Sequence, residues 1–193
     1  MPKKGCGIVV EDQLIISIEE LKEQGLSYYK INKFVEKGIL RKLNKRYYEN
    51  VNYTGELTDF SYIPAYIPQG VICLMSAAVY YDLTNYMPHS VDVDIPRKSR
   101  VSTLPDWPNI DLYYYTDYRY KLGIEENNGI RIYDIEKTVV DIIYYRERMG
   151  IDTAKEVLVN YLRRRDRNLN KLIRYGDRCK CGKIMSIYLE VLI

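Results

Sequence analysis

The sequence predicts an α+β protein of two domains, and three observations carry that reading. Helical and strand periodicities alternate along its 193 residues, a length that suits one larger domain or two small ones. A turn-rich stretch between Val51 and Gln69, holding Gly55, Pro64 and Pro68, separates two blocks of periodic sequence. Charge is segregated too: two strongly basic blocks, 27–46 and 163–183, flank a net-acidic middle although the whole chain carries only +3. We therefore assign 1–50 to a first domain, 51–69 to a linker and 70–193 to a mixed α/β domain.

In the first domain, Ile8-Val9-Val10 and Leu14-Ile15-Ile16 suit either a first helix or a short strand. Ser17-Ile-Glu-Glu20 matches a capping box, in which the serine hydroxyl and the glutamate carboxylate satisfy each other's orphan backbone donors. That helix runs to about Gln24, Gly25 ends it and Leu26 plugs the turn. Ser27 is a good cap for a second helix whose apolar face is Tyr28, Ile31, Phe34 and Val35, with Tyr28 read as core. Gly38 stops it, since glycine turns left-handed at little cost. Ile39-Leu40 starts a strand, Asn44-Lys45 makes a turn and Tyr47-Tyr48 starts the return strand. Two short helices joined by Gly-Leu and followed by a hairpin are the layout of a winged helix-turn-helix.

The charge of this stretch points to a polyanion. Between Ser27 and Arg46 stand seven Lys or Arg against Glu36 alone. Tyr29, Asn32 and Lys33 are candidates for base edges, because Asn pairs with adenine and Lys with guanine acceptors. Ser27 at the helix N-terminus, with Arg41, Lys42, Lys45 and Arg46 across the hairpin, would hold phosphates, and Lys30 and Lys37 belong to the same DNA-binding face. The competing reading is a solvated amphipathic helix beside an unrelated hairpin.

In the second domain, Gly70–Met75 is an apolar run and Ser76 caps a helix to Leu83. Ser90–Ile95 alternates, so it predicts a strand with one buried face and a solvated face bearing Asp92 and Asp94. Ile110–Tyr115 is a further strand. Leu122–Glu126 and Ile130–Tyr133 flank Asn127-Asn128-Gly129, a hairpin turn. Three helices follow. Asp134 caps the first, which carries Ile135, Val139, Val140 and Ile143. Gly150 stops it. Asp152 caps the second, with Val157, Leu158, Tyr161 and Leu162 inward. The last carries Met185, Tyr188, Leu189 and Leu192 at helical spacing. Arg163, Arg164, Arg165 and Arg167 form a second basic surface, equally readable as a solvated helix end.

Asp92, Asp94 and Asp111 also invite an enzymatic reading. Nucleotidyltransferases hold magnesium on two strand carboxylates one residue apart and a third further on. Those enzymes need a Gly-Ser turn for the triphosphate, and here Met75 precedes Ser76. We favour no catalytic role for the trio. Cys6, Cys73, Cys179 and Cys181 do not have zinc-ligand spacing, and His89 reads as structural. We expect no metal and no cofactor. No apolar core of a signal peptide is visible and no apolar run approaches a membrane span, so a cytoplasmic, reduced chain is expected.

The order of these motifs resembles the AbiEi family of antitoxins, from type IV toxin–antitoxin systems of abortive phage infection. The likeness runs from about Ile18 to Tyr145. It rests on the helix–helix–hairpin at Ser17–Tyr48, on Leu74-Met-Ser-Ala-Ala-Val-Tyr-Tyr-Asp-Leu-Thr84, on Asp94-Ile-Pro-Arg-Lys98 and on Ile130-Arg-Ile-Tyr-Asp-Ile-Glu-Lys-Thr-Val-Val-Asp141. The resemblance implies a winged helix that represses its own operon at operator DNA. It also implies a C-terminal domain that counters a nucleotidyltransferase-like toxin without needing a stable complex. One departure lies at the wing turn, where Lys45-Arg46-Tyr47 replaces a pattern such as Arg-Gly-Val. Two alternatives stay open: a nucleotidyltransferase-like enzyme using the three aspartates, and a nucleic-acid-binding adaptor without operator specificity.

Overall fold

The computed structural model describes residues 13–101, 103–127 and 129–192. Expectations for Cys6, Ile8–Val10, Asn128 and the Leu192 side chain lie outside the described residues. The fold is mixed α+β, in two compact units: residues 1–68 and residues 69–193.

Unit 1 begins with β1 (Ile15–Ser17), α1 (Ile18–Glu23), α2 (Tyr28–Glu36), β2 (Leu40–Lys42) and β3 (Tyr47–Asn50). The strands form an antiparallel sheet in the order β1-β3-β2, with Ile16 and Lys42 both in register with Tyr48. Ser17 and Glu20 close the expected capping box, at 3.1 Å from the Glu20 N–H to Ser17 Oγ and 2.7 Å from the Ser17 N–H to the Glu20 carboxylate. Gly25 and Gly38, at φ of +80° and +70°, end the two helices. Ile16, Ile18, Leu21, Ile31, Leu40 and Tyr48 make the core, with Leu26, Phe34 and Val35 at its edge.

The stretch expected to be a linker is instead largely built into this unit. A 3-10 turn (Asp59–Tyr62) and α3 (Ile63–Tyr66) fold within it. Tyr62 donates to Glu49 at 3.2 Å and the Asn44 amide donates to the Ala65 carbonyl at 2.9 Å. Its prolines read as a break, but Pro64 sits in the first turn of α3, where no intrahelical N–H is needed.

Unit 2 contains β4 (Val71–Ile72), α4 (Leu74–Tyr80), β5 (Val91–Pro96), β6 (Ile110–Tyr115), α5 (Asp117–Tyr120), β7 (Ile124–Asn127) and β8 (Ile130–Tyr133). Helices α6 (Ile135–Tyr144), α7 (Arg146–Met149), α8 (Ile151–Arg163), α9 (Leu169–Arg178) and α10 (Gly182–Leu192) follow. The sheet order is β6-β5-β4-β8-β7. Strand β4 is antiparallel to β5 and parallel to β8, β5 is parallel to β6, and β7–β8 is the expected hairpin. Helix α6, capped by Asp134 at 2.8 Å from the Lys137 N–H, packs on α4, α8 and α9. No helix among the described residues is long and apolar enough to cross a membrane.

Four expectations for this unit are corrected. Strand β5 has no solvated face: Asp92 and Asp94 are both buried, because β5 is an inner strand contacted by α4 and α5. Ser76 does not cap α4, which starts two residues earlier; it lies in the first turn and is itself buried. Asp152 lies inside the first turn of α8, whose cap position is Gly150. Finally, five helices rather than three follow β8 among the described residues, α7 and α9 being the additional ones, with Asn168 as the cap of α9.

Candidate nucleic-acid interface

Position and exposure of each side chain follow from the two caps and one turn. With Ser27 holding the Lys30 N–H at 3.4 Å, α2 is phased so that Ile31 is fully buried. At 100° per residue, Tyr29 and Lys33 then stand on the side away from Ile31, flanked by Lys30, Asn32 and Lys37. All five are exposed, as is Ser27. The Lys33 ammonium lies 4.7 Å from the centre of the Tyr29 ring, so the two form one amphipathic tip rather than two separate ones.

Tyr28 is a correction. It is 57% exposed rather than core. Lys22 of α1 donates to its hydroxyl at 2.9 Å and lies over its ring at 4.3 Å. The first turn of α2 lies at the edge of the small core, and the Lys22 ammonium rather than an apolar neighbour lies over the ring. Lys22 therefore belongs to the same surface, although nothing in α2 by itself points to it.

The β2–β3 turn needs no glycine. Asn44 Oδ1 accepts from the Arg46 and Tyr47 N–H groups at 2.8 and 2.9 Å, an Asx turn that closes the loop with ordinary backbone angles. Its amide reaches the Ala65 carbonyl, so one side chain shapes the tip and ties it to α3. Lys42, Lys45 and Arg46 are exposed around it. Arg41 differs: its guanidinium is paired with Glu49, Nε to Oε2 being 2.7 Å. That pair, strengthened by hydrogen bonding to Glu49, holds the Arg41 pKa above its ordinary value. Part of its charge is thus used internally, joining β2 to β3.

Among the described residues of unit 1, then, nine of the ten expected contact residues present exposed polar tips without an ion pair to a neighbouring carboxylate. Arg41 presents one that is already paired.

The second basic surface is less free than its sequence suggests. Arg164 binds Asp166 through two bonds of 2.9 and 2.8 Å and donates to the Tyr81 carbonyl at 3.0 Å. Arg167 donates to the Arg164 carbonyl at 2.8 Å. Arg163 and Arg165 remain partly or fully exposed. Two of the four arginines therefore build the α8–α9 connection.

The three aspartates do not assemble as a metal centre. Among the described residues no group of three or more His, Cys, Asp or Glu is placed to hold a metal ion. Asp92 Oδ2 accepts from the Met75 and Ser76 N–H groups at 3.0 and 3.3 Å. Asp94 accepts from the Tyr115 N–H at 2.9 Å and lies 2.5 Å from the Tyr133 hydroxyl. Asp111 is exposed and accepts from Ser90 at 2.6 Å.

No family model matches the chain, and no curated protein does. Among solved structures it is similar to the crystal structure of the RV2827C protein from Mycobacterium tuberculosis. The TM-score is 0.46 and the identity 11%, over 88% of this chain and 72% of that one.

Proposed function

We propose that the chain is an antitoxin and autorepressor of a type IV toxin–antitoxin operon, working in the cytoplasm. Unit 1 acts as a winged helix-turn-helix that binds operator DNA, and unit 2 counters a nucleotidyltransferase-like toxin. The observation that carries the DNA half is the joint exposure of Tyr29, Lys33 and their flanking lysines on α2 with Lys42, Lys45 and Arg46 at the hairpin tip. A nine-residue helix is about 13 Å long, enough to pass along about four base pairs in a major groove. Tyr29, Asn32 and Lys33 read base edges there. Ser27 and the N–H groups of the first turn take a phosphate, and Lys42, Lys45 and Arg46 take others across the groove wall.

The antitoxin half rests on the resemblance to AbiEi proteins. In the Ile130–Asp141 motif, Tyr133, Asp134, Glu136, Lys137 and Asp141 are all buried. They frame the unit, and contact with a toxin falls to its outer surface. No catalytic role falls to the aspartates: Asp92 caps a helix and Asp94 serves the interior.

The test uses the full chain and the DNA upstream of its gene in a shift assay across a salt series. Lys33→Ala with Arg46→Ala lowers affinity and reduces the slope of log K against log salt by about 0.9 for each phosphate that is no longer neutralised. The same double variant still protects cells from a nucleotidyltransferase-like toxin expressed from the neighbouring gene of the proposed operon. Unchanged operator binding refutes the DNA half. Failure to protect, with DNA binding weakened as expected, refutes the division of labour.

A further inference from the structure

Unit 2 holds a cavity of about 350 Å³ between the start of β5 and β6 and the α7–α8 corner. Asp92 and Asp111 both line it, brought together because they are register partners on parallel strands. Asp92 is buried and committed to α4. Asp111 is exposed, and Ser90 fixes its carboxylate through Oδ2. The cavity also carries Arg148, which pairs with no carboxylate among the described residues. Its guanidinium lies 4.8 Å from the centre of the Tyr113 ring. Tyr86, half exposed, and Tyr113, whose ring Arg148 lies over, add aromatic lining.

One cavity thus combines an acceptor-only carboxylate, aromatic lining and a guanidinium without a carboxylate partner among the described residues. The volume falls in the range of small-ligand sites, about 300–1,000 Å³. Aromatic wall selects a planar ring, which stacks at little entropic cost. A carboxylate selects a ring edge bearing N–H donors and rejects one that presents carbonyl oxygens. A guanidinium fork with no internal carboxylate selects a phosphate, which it can bind through two parallel bonds.

We propose that this cavity binds a nucleoside monophosphate, with the amino edge of its base on Asp111 and its phosphate on Arg148. Guanine is the best match, since its N1–H and N2 amino group offer two adjacent donors to one carboxylate. Uracil is the worst, its one N–H being flanked by carbonyls. The site lies wholly within unit 2 and uses none of the DNA-binding residues, so it stands or falls apart from operator recognition.

Isothermal titration of the full chain with GMP, UMP and guanosine tests it. GMP binds at least tenfold more tightly than UMP and more tightly than guanosine. Arg148→Ala brings GMP down to the affinity of guanosine and leaves guanosine unchanged. Asp111→Asn abolishes the preference for GMP over UMP. Both substitutions are at exposed positions, and unchanged thermal melting of each variant confirms that the fold is intact. The proposal is overturned if none of the three ligands binds at millimolar concentration, if GMP and UMP bind alike, or if both variants bind GMP as the parent does.

Discussion

Asp92 and Ser76 exchange hydrogen bonds in both directions. The Ser76 N–H donates to Asp92 Oδ2 at 3.3 Å, and the Asp92 N–H donates to Ser76 Oγ at 2.8 Å. This is the logic of a capping box carried out between residues 16 apart in sequence, with a strand supplying the carboxylate to a helix that begins at Leu74. Leu74 itself has φ of +44°, a left-handed conformation costly for a branched side chain, and the Asp92 bonds hold the turn that requires it.

Ser76→Ala leaves the buried Asp92 N–H without its acceptor and lowers the stability of unit 2 by about 1–3 kcal/mol. Asp92→Ala costs more, because it strips two helix N–H groups at once. Asp92→Asn costs less, since an amide oxygen still accepts. Urea unfolding followed by tyrosine fluorescence and circular dichroism ranks the three.

Asp94 predicts a pH dependence. Burial pushes its carboxyl up to about 7, against lowering contributions from Tyr133, the Tyr115 N–H and Lys137. The protonated acid has a place for its hydrogen: it donates to the Tyr133 oxygen, and Tyr133 donates onward to the Tyr120 carbonyl at 3.0 Å. Because the folded value lies above the unfolded one, the folded state binds the extra proton between about pH 4 and pH 7. Asp94 therefore contributes stability at the acid end that is lost as pH rises through about 7, at up to about 1.4 kcal/mol per pH unit. Asp94→Asn removes that slope. Unfolding free energies of parent and variant at pH 5, 6, 7 and 8 measure the difference; a parallel pair of curves contradicts the assignment.

Asp141 is held between two cations, Lys137 and Arg119, the latter at 2.5 Å. The pairings are unequal in consequence. Lys137→Met leaves Asp141 with Arg119 and replaces a buried ammonium with apolar volume. Asp141→Ala leaves the buried Lys137 and the mostly buried Arg119 without their shared carboxylate, Lys137 lying over the rings of Tyr115 and Tyr133 at 4.8 and 4.2 Å. Asp141→Ala therefore destabilises by about 3–5 kcal/mol, and Lys137→Met by less. Thermal melts at fixed pH decide the order.

Asn44 separates shape from charge in the hairpin. Asn44→Ala removes the Asx turn and the bond to Ala65 at a cost of about 1–2 kcal/mol. Operator affinity falls because the loosened turn must be ordered as Lys45 and Arg46 reach their phosphates. The salt slope keeps its parent value, since the same number of phosphates is neutralised in the complex. A variant that binds more weakly with a flattened slope instead shows that Lys45 or Arg46 no longer reaches a phosphate.

Features closed within a few residues were legible in the chain itself. The Ser17–Glu20 box, the Ser27 and Asp134 caps and the glycine stops at 25 and 38 depend on contacts across three to five positions, and the β7–β8 hairpin on pairs no more than nine apart. The basic character of α2 and the hairpin was legible from the residue types themselves, and exposure on α2 follows from one helix phase. Tertiary structure decided the rest. Tyr28 is exposed because the core beneath the first turn of α2 ends at Ile31, and Lys22 comes from another helix to cover it. Asp92 and Asp94 are interior because their partners, Ser76 and Tyr133, lie 16 and 39 residues away. An alternating strand has the same pattern whether its polar face meets water or a helix terminus and a tyrosine. What covers that face is settled only when distant segments pack, and the cost of burying a carboxylate is then met by donors that no local window contains.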